Sequence, residues 1–120
     1  MMLWSERKTF TEMQNSNFLC KIKHIFKTNT YVFFVMKFYK GNNLFTHLTY
    51  QENQRLLYRE ISHTRAKFYF ACVVLALKDL NDRGFIHRDI KLENLMMDEK
   101  GYLSLGDFGL CKKLEVNLKI

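Results

Sequence analysis

The sequence predicts an α+β fold, and three segments support that prediction. Aromatic and β-branched residues fill 18–26 and 31–38, and the polar residues between them are typical of the turn of a two-stranded hairpin. Residues 63–82 are apolar around most of the circumference of a predicted helix, a pattern typical of a helix buried inside a larger protein. In 85–112, apolar side chains are interleaved with charged ones, which indicates a loop held against a core.

Capping residues and helix breakers predict the remaining elements. Ser5 is a candidate N-cap for a short helix that runs to Gln14. Residues 44–61 become polar, and we predict a short helix there, followed by an inserted loop. Ser62 then caps the long helix, and Gly84 ends it.

The composition excludes several classes of protein. The 120 residues suffice for one modest domain, and 48% hydrophobic and 15% aromatic residues indicate a packed core rather than a disordered chain. Cys20, Cys72 and Cys111 are far apart in the sequence, so neither a disulfide framework nor a zinc site is predicted, and a reducing, cytoplasmic location fits. No apolar run reaches membrane-spanning length, and the apolar start of the chain is too short for a signal peptide.

The formal net charge of +7 suggests nucleic acid or an anionic membrane surface as a possible class of partner. The lysines and arginines are scattered, however, and no run exceeds two residues, as in Lys112-Lys113. A solvated basic surface is therefore the favoured interpretation. No groove-reading motif accompanies the charge, so no specific nucleic-acid partner is predicted.

Four polar residues near the end of the chain have the spacing expected for phosphoryl transfer. Asp89 and Lys91 would point the same way in an extended loop, where the carboxylate can orient a hydroxyl and the ammonium can face the moving phosphate. Asn94 and Asp107 offer the oxygen ligands that magnesium prefers. We therefore predict Asp89 and Lys91 as catalytic residues, and Asn94 and Asp107 as metal ligands.

The same residues resemble a known family. HRDIKLEN at 87–94 and DFG at 107–109 resemble the catalytic loop and the metal-binding loop of protein kinases. The resemblance runs from Glu6 to Lys113 and is similar in particular to serine/threonine kinases of the AGC group, in the protein kinase C, protein kinase N and Akt branches. It implies ATP and Mg²⁺ as cofactors and a protein as substrate.

By this resemblance the chain is a partial kinase domain with a truncated kinase-like fold. Residues 1–36 would form the rest of an N-lobe with helix C and two strands, 37–43 the hinge, and 44–120 the start of a helical C-lobe. No glycine precedes Gly41, so the glycine-rich phosphate loop is missing, as is the lysine of the V-A-I-K strand. We therefore expect phosphoryl transfer by this chain alone to be impaired.

The resemblance also assigns residues to the nucleotide. They are the gatekeeper Met36, with Lys37, Phe38, Asn43 and Met96. Lys37 stands where the family usually has a glutamate, and Asn43 stands where an acidic residue reaches the ribose and a substrate arginine. Because Asn43 is uncharged, we expect weaker selection of arginine.

Three further roles are implied by the resemblance alone. Glu6 would be the helix C glutamate that pairs with the strand lysine, and Glu12 is its rival. Glu93 would bind a substrate arginine, which implies basic residues near the phosphorylated position. The hydrophobic spine that links the lobes would be formed by Phe10, Ile22, His87 and Phe108.

Two other hypotheses remain beside the kinase. In one, the chain is a catalytically dead truncated kinase that acts as an interaction module, because missing C-lobe helices would leave the apolar face of helix 63–82 exposed to a protein partner. In the other, the net charge binds nucleic acid without a specific recognition motif.

Overall fold

The computed structural model describes residues 15–114, which form eight short strands, two α-helices and one 3₁₀ helix. The elements in chain order are β1 (Ile22–Lys27), β2 (Val32–Met36), α1 (Leu44–Leu48), β3 (Thr49–Glu52), β4 (Arg55–Tyr58), α2 (His63–Asp82), β5 (Phe85–Ile86), the 3₁₀ helix (Leu92–Asn94), β6 (Leu95–Met97), β7 (Leu103–Leu105) and β8 (Lys112–Lys113). The strands pair as four antiparallel two-stranded sheets: β1 with β2, β3 with β4, β5 with β8, and β6 with β7. The predicted helix between Ser5 and Gln14 lies outside the described residues.

The β1–β2 hairpin confirms the first prediction, with shorter strands than the sequence suggested. Phe26 pairs with Phe33, and the Thr28 hydroxyl closes the turn by accepting hydrogen bonds from the backbone N–H groups of Thr30 and Tyr31. The residues before β1 turn away from the hairpin, because the backbone of Cys20 donates to the carbonyl of Leu105 at 2.8 Å instead. Residues 18–20 are thereby joined to β7.

Residues 44–61 contain more structure than the sequence predicted. The short helix α1 is confirmed, and its N-cap is Asn43, whose side-chain oxygen accepts from the N–H of Thr46 at 2.8 Å. The expected inserted loop is instead the hairpin β3–β4, so this part of the prediction was wrong. Asn53 and Gln54 link the two strands with φ of 49° and 64°, and two positive φ angles are the signature of the type I′ turn that favours tight hairpins.

The long helix α2 has the predicted bounds and N-cap. The Ser62 hydroxyl accepts from the N–H of Arg65 at 3.3 Å, and Gly84 follows the helix end with φ of 74°. One stripe of the helix is buried against β5 and β7, formed by Tyr69, Cys72, Ala76 and Leu80. Five large apolar side chains of the helix are exposed, although the apolar pattern predicted a helix buried on most sides: Phe68, Phe70, Val74, Leu75 and Leu77. No helix within residues 15–114 has both the length and the apolar character that crossing a membrane requires.

The β6–β7 hairpin connects the two loops that contain the predicted catalytic and metal-binding residues. Its turn is closed by Asp98, whose carboxylate accepts from the N–H groups of Lys100 and Tyr102 at 2.9 and 3.0 Å. Leu103 and Leu105 of β7 are almost completely buried beneath α2. The hairpin therefore fixes the spacing between the loop before β6 and the loop after β7.

Replacement of Leu80 by alanine tests whether the buried stripe of α2 holds the fold. Leu80 is 1% exposed, so the truncation leaves a cavity and should lower the free energy of unfolding by roughly 2–5 kcal/mol, as measured by urea denaturation followed by circular dichroism. Leu75→Ala is the matched control on the same helix, because Leu75 is 42% exposed, and the loss there should stay below roughly 1 kcal/mol. Equal losses in the two variants would contradict the observed orientation of the helix.

Candidate active site

The loop between β5 and β6 brings three of the predicted site residues into one hydrogen-bonded cluster. The ammonium of Lys91 lies 2.6 Å from the Asp89 carboxylate. The side-chain amide nitrogen of Asn94 donates to the same carboxylate and to the backbone carbonyl of Asp89, both at 3.0 Å. The bond from Lys91, supported by that from Asn94, lowers the pKa of Asp89 below its usual range, and the bond to Asp89 raises the pKa of Lys91. Asp89 is therefore ionised at neutral pH.

His87 joins this cluster to the loop after β7. The ring is buried, and its Nδ1 accepts from the backbone N–H of Asp89 at 3.3 Å, so Nε2 carries the proton and donates to the carbonyl of Gly106 at 2.9 Å. A second bond runs beside it, from the N–H of Gly106 to the carbonyl of Asn94 at 2.8 Å. The ring of Phe108 meets His87 edge to face, with 5.6 Å between centroids. The two loops are thus held together by buried groups.

Asp107 and Arg88 have unusual backbone conformations. Their φ angles are 54° and 70°, in the left-handed region that non-glycine residues seldom adopt. Asp107 is held by the N–H of Gly109, which donates to its carboxylate at 3.3 Å, and Arg88 donates from Nε to the carbonyl of Leu110 at 2.6 Å. Strained residues of this kind cluster at functional sites because only a surrounding scaffold maintains them.

A cavity of about 350 Å³ lies next to these loops, within the size range of small-molecule sites. Asn94, Asp107 and Glu93 line it on one side, and Ile22, Phe108, Met36 and Met96 are among its apolar lining residues. A second cavity, of about 320 Å³, shares the side chains of Met36 and Met96 with the first and is also lined by Lys37 and Phe38. The two cavities are therefore neighbouring compartments of one cleft.

The cleft contains most of the residues predicted to meet the nucleotide, and Asn43 is the exception. Met36, Lys37, Phe38 and Met96 line one or both cavities. Asn43 lines neither, because its side chain is used as the N-cap of α1. The predicted residues Phe10, Glu6 and its rival Glu12 lie outside the described residues.

Two close contacts were missed by the sequence analysis, one in the cleft and one beside it. Cys20 lines the cavity, and burial raises the pKa of its thiol to about 11. The thiol therefore stays protonated at neutral pH and is a poor nucleophile. A Cβ atom on Gly106 would lie 3.0 Å from the Cys20 sulfur, and a Cβ atom on Gly41 would lie 2.8 Å from atoms of Met97. In the sequence, each contact is indicated by its glycine alone. A glycine suggests close packing but does not identify the residue that packs against it.

Asn94 and Asp107 present oxygen atoms of the kind that magnesium prefers. Both hydrogen bonds of the Asn94 side chain use its nitrogen, which leaves the carbonyl oxygen for another ligand, and the exposed Asp107 carboxylate lines the same cavity. Among residues 15–114 no three or more His, Cys, Asp or Glu side chains converge as a metal site. One carboxylate and one amide oxygen suit Mg²⁺, which usually completes its coordination with water and substrate phosphates.

Comparison with known proteins identifies the family. The family model described as "Protein kinase domain" matches residues 1–119. The RAC serine/threonine-protein kinase of Drosophila melanogaster is 40% identical over 99 residues, covering 82% of this chain and 15% of the relative. The human RAC-beta serine/threonine-protein kinase is 42% identical over 103 residues, covering 84% and 20%. Human protein kinase C eta type is 37% identical over 109 residues, covering 91% and 15%.

This chain therefore spans at most about a fifth of the length of these relatives. The RAC and protein kinase C relatives agree with the resemblance carried by the HRDIKLEN and DFG segments. The chain belongs to the protein kinase domain family, among the serine/threonine kinases of the AGC group.

Proposed function

We propose that the cleft binds ATP with Mg²⁺ and positions its γ-phosphoryl group for transfer to a serine or threonine hydroxyl of a protein. The observation that carries this proposal is the linkage of Asp89, Asn94 and Asp107 through His87 and Gly106 beside one cavity. Phosphoryl transfer depends mainly on positioning and on charge neutralisation, and a buried scaffold under an exposed charged cluster supports both.

In the proposed mechanism, Asp89 orients the substrate hydroxyl and accepts its proton as that oxygen bonds to the γ-phosphorus and the bond to the β-phosphate oxygen breaks. Asp89 is ionised for this task because Lys91 and Asn94 stabilise its carboxylate. Lys91 exchanges its bond to Asp89 for one to the transferred phosphoryl group. Its ammonium then neutralises part of the charge that develops during transfer.

Asn94 and Asp107 would hold the magnesium ion through their side-chain oxygens. When bound, Mg²⁺ would neutralise part of the phosphate charge and so lower the repulsion that the attacking oxygen meets. Asp107 lines the cavity in a left-handed backbone conformation. The hydrogen bond from His87 to the carbonyl of Gly106, the residue before it, holds the backbone in place there.

Adenine and ribose would occupy the part of the cleft where the two cavities meet. Met36 and Met96 would sandwich the base from apolar surfaces, and the backbone of Lys37 and Phe38 would meet its edge. Asn43 would still offer its amide nitrogen to a ribose hydroxyl, because only its oxygen is used as a helix cap. Glu93 would bind a basic side chain of the substrate from its position at the cavity.

Several finer assignments remain predictions of this proposal. The spine would join Ile22, Phe108 and His87 to Phe10, and Glu6 would serve as the helix C glutamate. The boundaries 1–36, 37–43 and 44–120 for lobe remnant, hinge and second lobe are likewise predictions. So are a cytoplasmic location and the impaired activity of these 120 residues alone.

A second candidate function is favoured by the exposed apolar face of α2. Phe70 is 70% exposed and Val74 is 47% exposed, which is unusual for large apolar residues on one helix. In this alternative the chain binds another protein through α2 and transfers no phosphate. Monomeric behaviour together with purification free of any partner would count against it.

Titration of Mg²⁺-ATP into the purified chain by calorimetry tests the proposed nucleotide site. We expect binding, and we expect Asp107→Asn to lower the affinity at least roughly tenfold because a charged metal ligand is lost. Asp82→Asn is the matched control, since Asp82 is an exposed aspartate on α2 that pairs with Lys78. Repeating the titrations in excess EDTA should remove the difference between Asp107→Asn and the unaltered chain.

Unchanged Mg²⁺-ATP affinity in Asp107→Asn would reject the assigned metal ligand. A well-folded chain without any affinity for Mg²⁺-ATP would reject the nucleotide site itself and favour the second candidate. Circular dichroism of each variant separates these outcomes from loss of fold.

The shifted pKa of Asp89 gives a second test. Because the folded-state pKa is lowered, the ionised group stabilises the fold above the unfolded pKa, and this contribution is lost as pH falls through the folded pKa. Carboxyl-carbon NMR should therefore give an Asp89 midpoint below 3.8, and Lys91→Gln should move the midpoint upward. Lys100→Gln, which changes a lysine of the β6–β7 turn, should leave it unchanged. A midpoint unaffected by Lys91→Gln would disprove the coupling of the two residues.

A further inference from the structure

The positive charge of the chain is distributed less evenly than its composition suggests. No aspartate or glutamate occurs between Met13 and Gln51, whereas five lysines do: Lys21, Lys23, Lys27, Lys37 and Lys40. The rest of the described chain contains basic and acidic residues in similar numbers. The net charge is therefore concentrated on the β1–β2 hairpin and the segment that follows it.

The same hairpin exposes a group of aromatic rings, which we call the ring face: Phe26, Tyr31 and Phe33. Their exposed fractions are 52%, 67% and 42%. Phe26 and Phe33 are cross-strand partners whose rings stack with centroids 4.9 Å apart, and Tyr31 meets Phe33 edge to face at 6.3 Å. The neighbouring pair in the register, Ile25 and Phe34, has the opposite orientation: Phe34 lines the cavity, and Ile25 packs on the core. The ring face therefore points away from the cleft.

Lysines lie along the strand that carries Phe26, beside the ring face rather than on it. Lys27 ends β1 beside the turn and starts from the side of Ile25, and Lys23 lies where the pairing of β1 with β2 is irregular. At the base of the hairpin, the backbone of Lys37 donates to the carbonyl of Lys21 at 3.4 Å, but the Lys37 side chain lines the cleft, with Nζ 5.3 Å from the centroid of the Tyr39 ring, so Lys21 is the lysine available at this end. The distance from Lys21 to Lys27 along the strand is roughly 20 Å at about 3.3 Å per residue, which is long enough for a short stretch of an extended polyanion.

We propose that the β1–β2 hairpin binds single-stranded nucleic acid without sequence preference. Exposed aromatic rings on which bases stack, combined with lysines that follow the phosphates, are the two requirements for such binding. Paired strands hide the faces of their bases, so a duplex would use only the lysines. An anionic membrane is the less suitable partner, because insertion needs an apolar face that sinks about 5–10 Å into the surface, whereas Phe26 and Phe33 are only about half exposed in their strands.

The test is fluorescence anisotropy of a fluorescein-labelled dT20 strand titrated with the purified chain between 50 and 200 mM NaCl. Engagement of about four phosphates should give a slope of about −3 for log affinity against log salt concentration. The double variant Phe26→Ala/Phe33→Ala should lose about tenfold or more in affinity with the slope unchanged. Lys23→Ala/Lys27→Ala should make the slope less steep by about 1.4.

Matched controls lie elsewhere on the chain. Phe70→Ala removes a phenylalanine of α2 that is more exposed than either one in the ring face, and Lys100→Ala removes a lysine from the β6–β7 turn; neither should change the affinity for dT20. Tyr31→Ala, at the most exposed ring of the face, provides a second ring variant if the double variant fails to fold. The affinity for the duplex of dT20 with dA20 should be at least severalfold lower than for dT20.

Three results would overturn the proposal. The first is no binding of dT20 at 50 mM NaCl. The second is equal affinity of the ring variants and Phe70→Ala, which would reduce the effect to charge alone. The third is binding that is confined to vesicles containing phosphatidylserine, which would identify the hairpin as a membrane contact instead.

Discussion

The buried ring of His87 is the contact on which the site depends. It accepts a hydrogen bond from the backbone of Asp89 and donates one to the carbonyl of Gly106. A single side chain therefore fixes the distance between the loop before β6 and the loop after β7. The β6–β7 hairpin supports the same spacing, since its strands begin at Leu95 and end at Leu105, directly beside those loops. Loss of the ring would leave the Gly106 carbonyl buried without its donor, at a cost of about 1–3 kcal/mol. The arrangement is thus fixed by buried groups.

Local signals in the sequence were sufficient for the elements that are stabilised locally. The hairpin β1–β2 was predicted from two aromatic and β-branched runs around a polar turn, and the helix α2 from a serine cap and an apolar run; both formed where expected. The hairpin β3–β4 was missed because its turn residues, Asn53 and Gln54, both adopt positive φ. Asparagine adopts a positive φ readily, but glutamine in the second position of the turn does not indicate a type I′ turn. A glycine at that position would have been the usual signal.

The site was predictable as a set of residue types but not as a set of contacts. Asp89, Lys91 and Asn94, which the motif grouped, contact each other in the structure because they are close in sequence and their hydrogen bonds form within one loop. The fit of Cys20 against Gly106 joins residues 86 positions apart, and no spacing rule reveals such a contact. Asn43 illustrates the converse, since a polar residue near a predicted binding site was used by the backbone of the following helix.

The charged cluster and its scaffold differ in how firmly they are held. The pair of Lys91 with Asp89 is partly exposed, and water and salt screen such pairs, so the pair contributes little to the fold. Asp89 keeps its position without that pair, because Asn94 and the His87 ring hold its carboxylate and its backbone. In the proposed mechanism, Lys91 would therefore be free to follow a phosphate while Asp89 stays in place. Phosphoryl transfer favours this arrangement, because the charge to be neutralised moves during the reaction and the proposed proton acceptor does not.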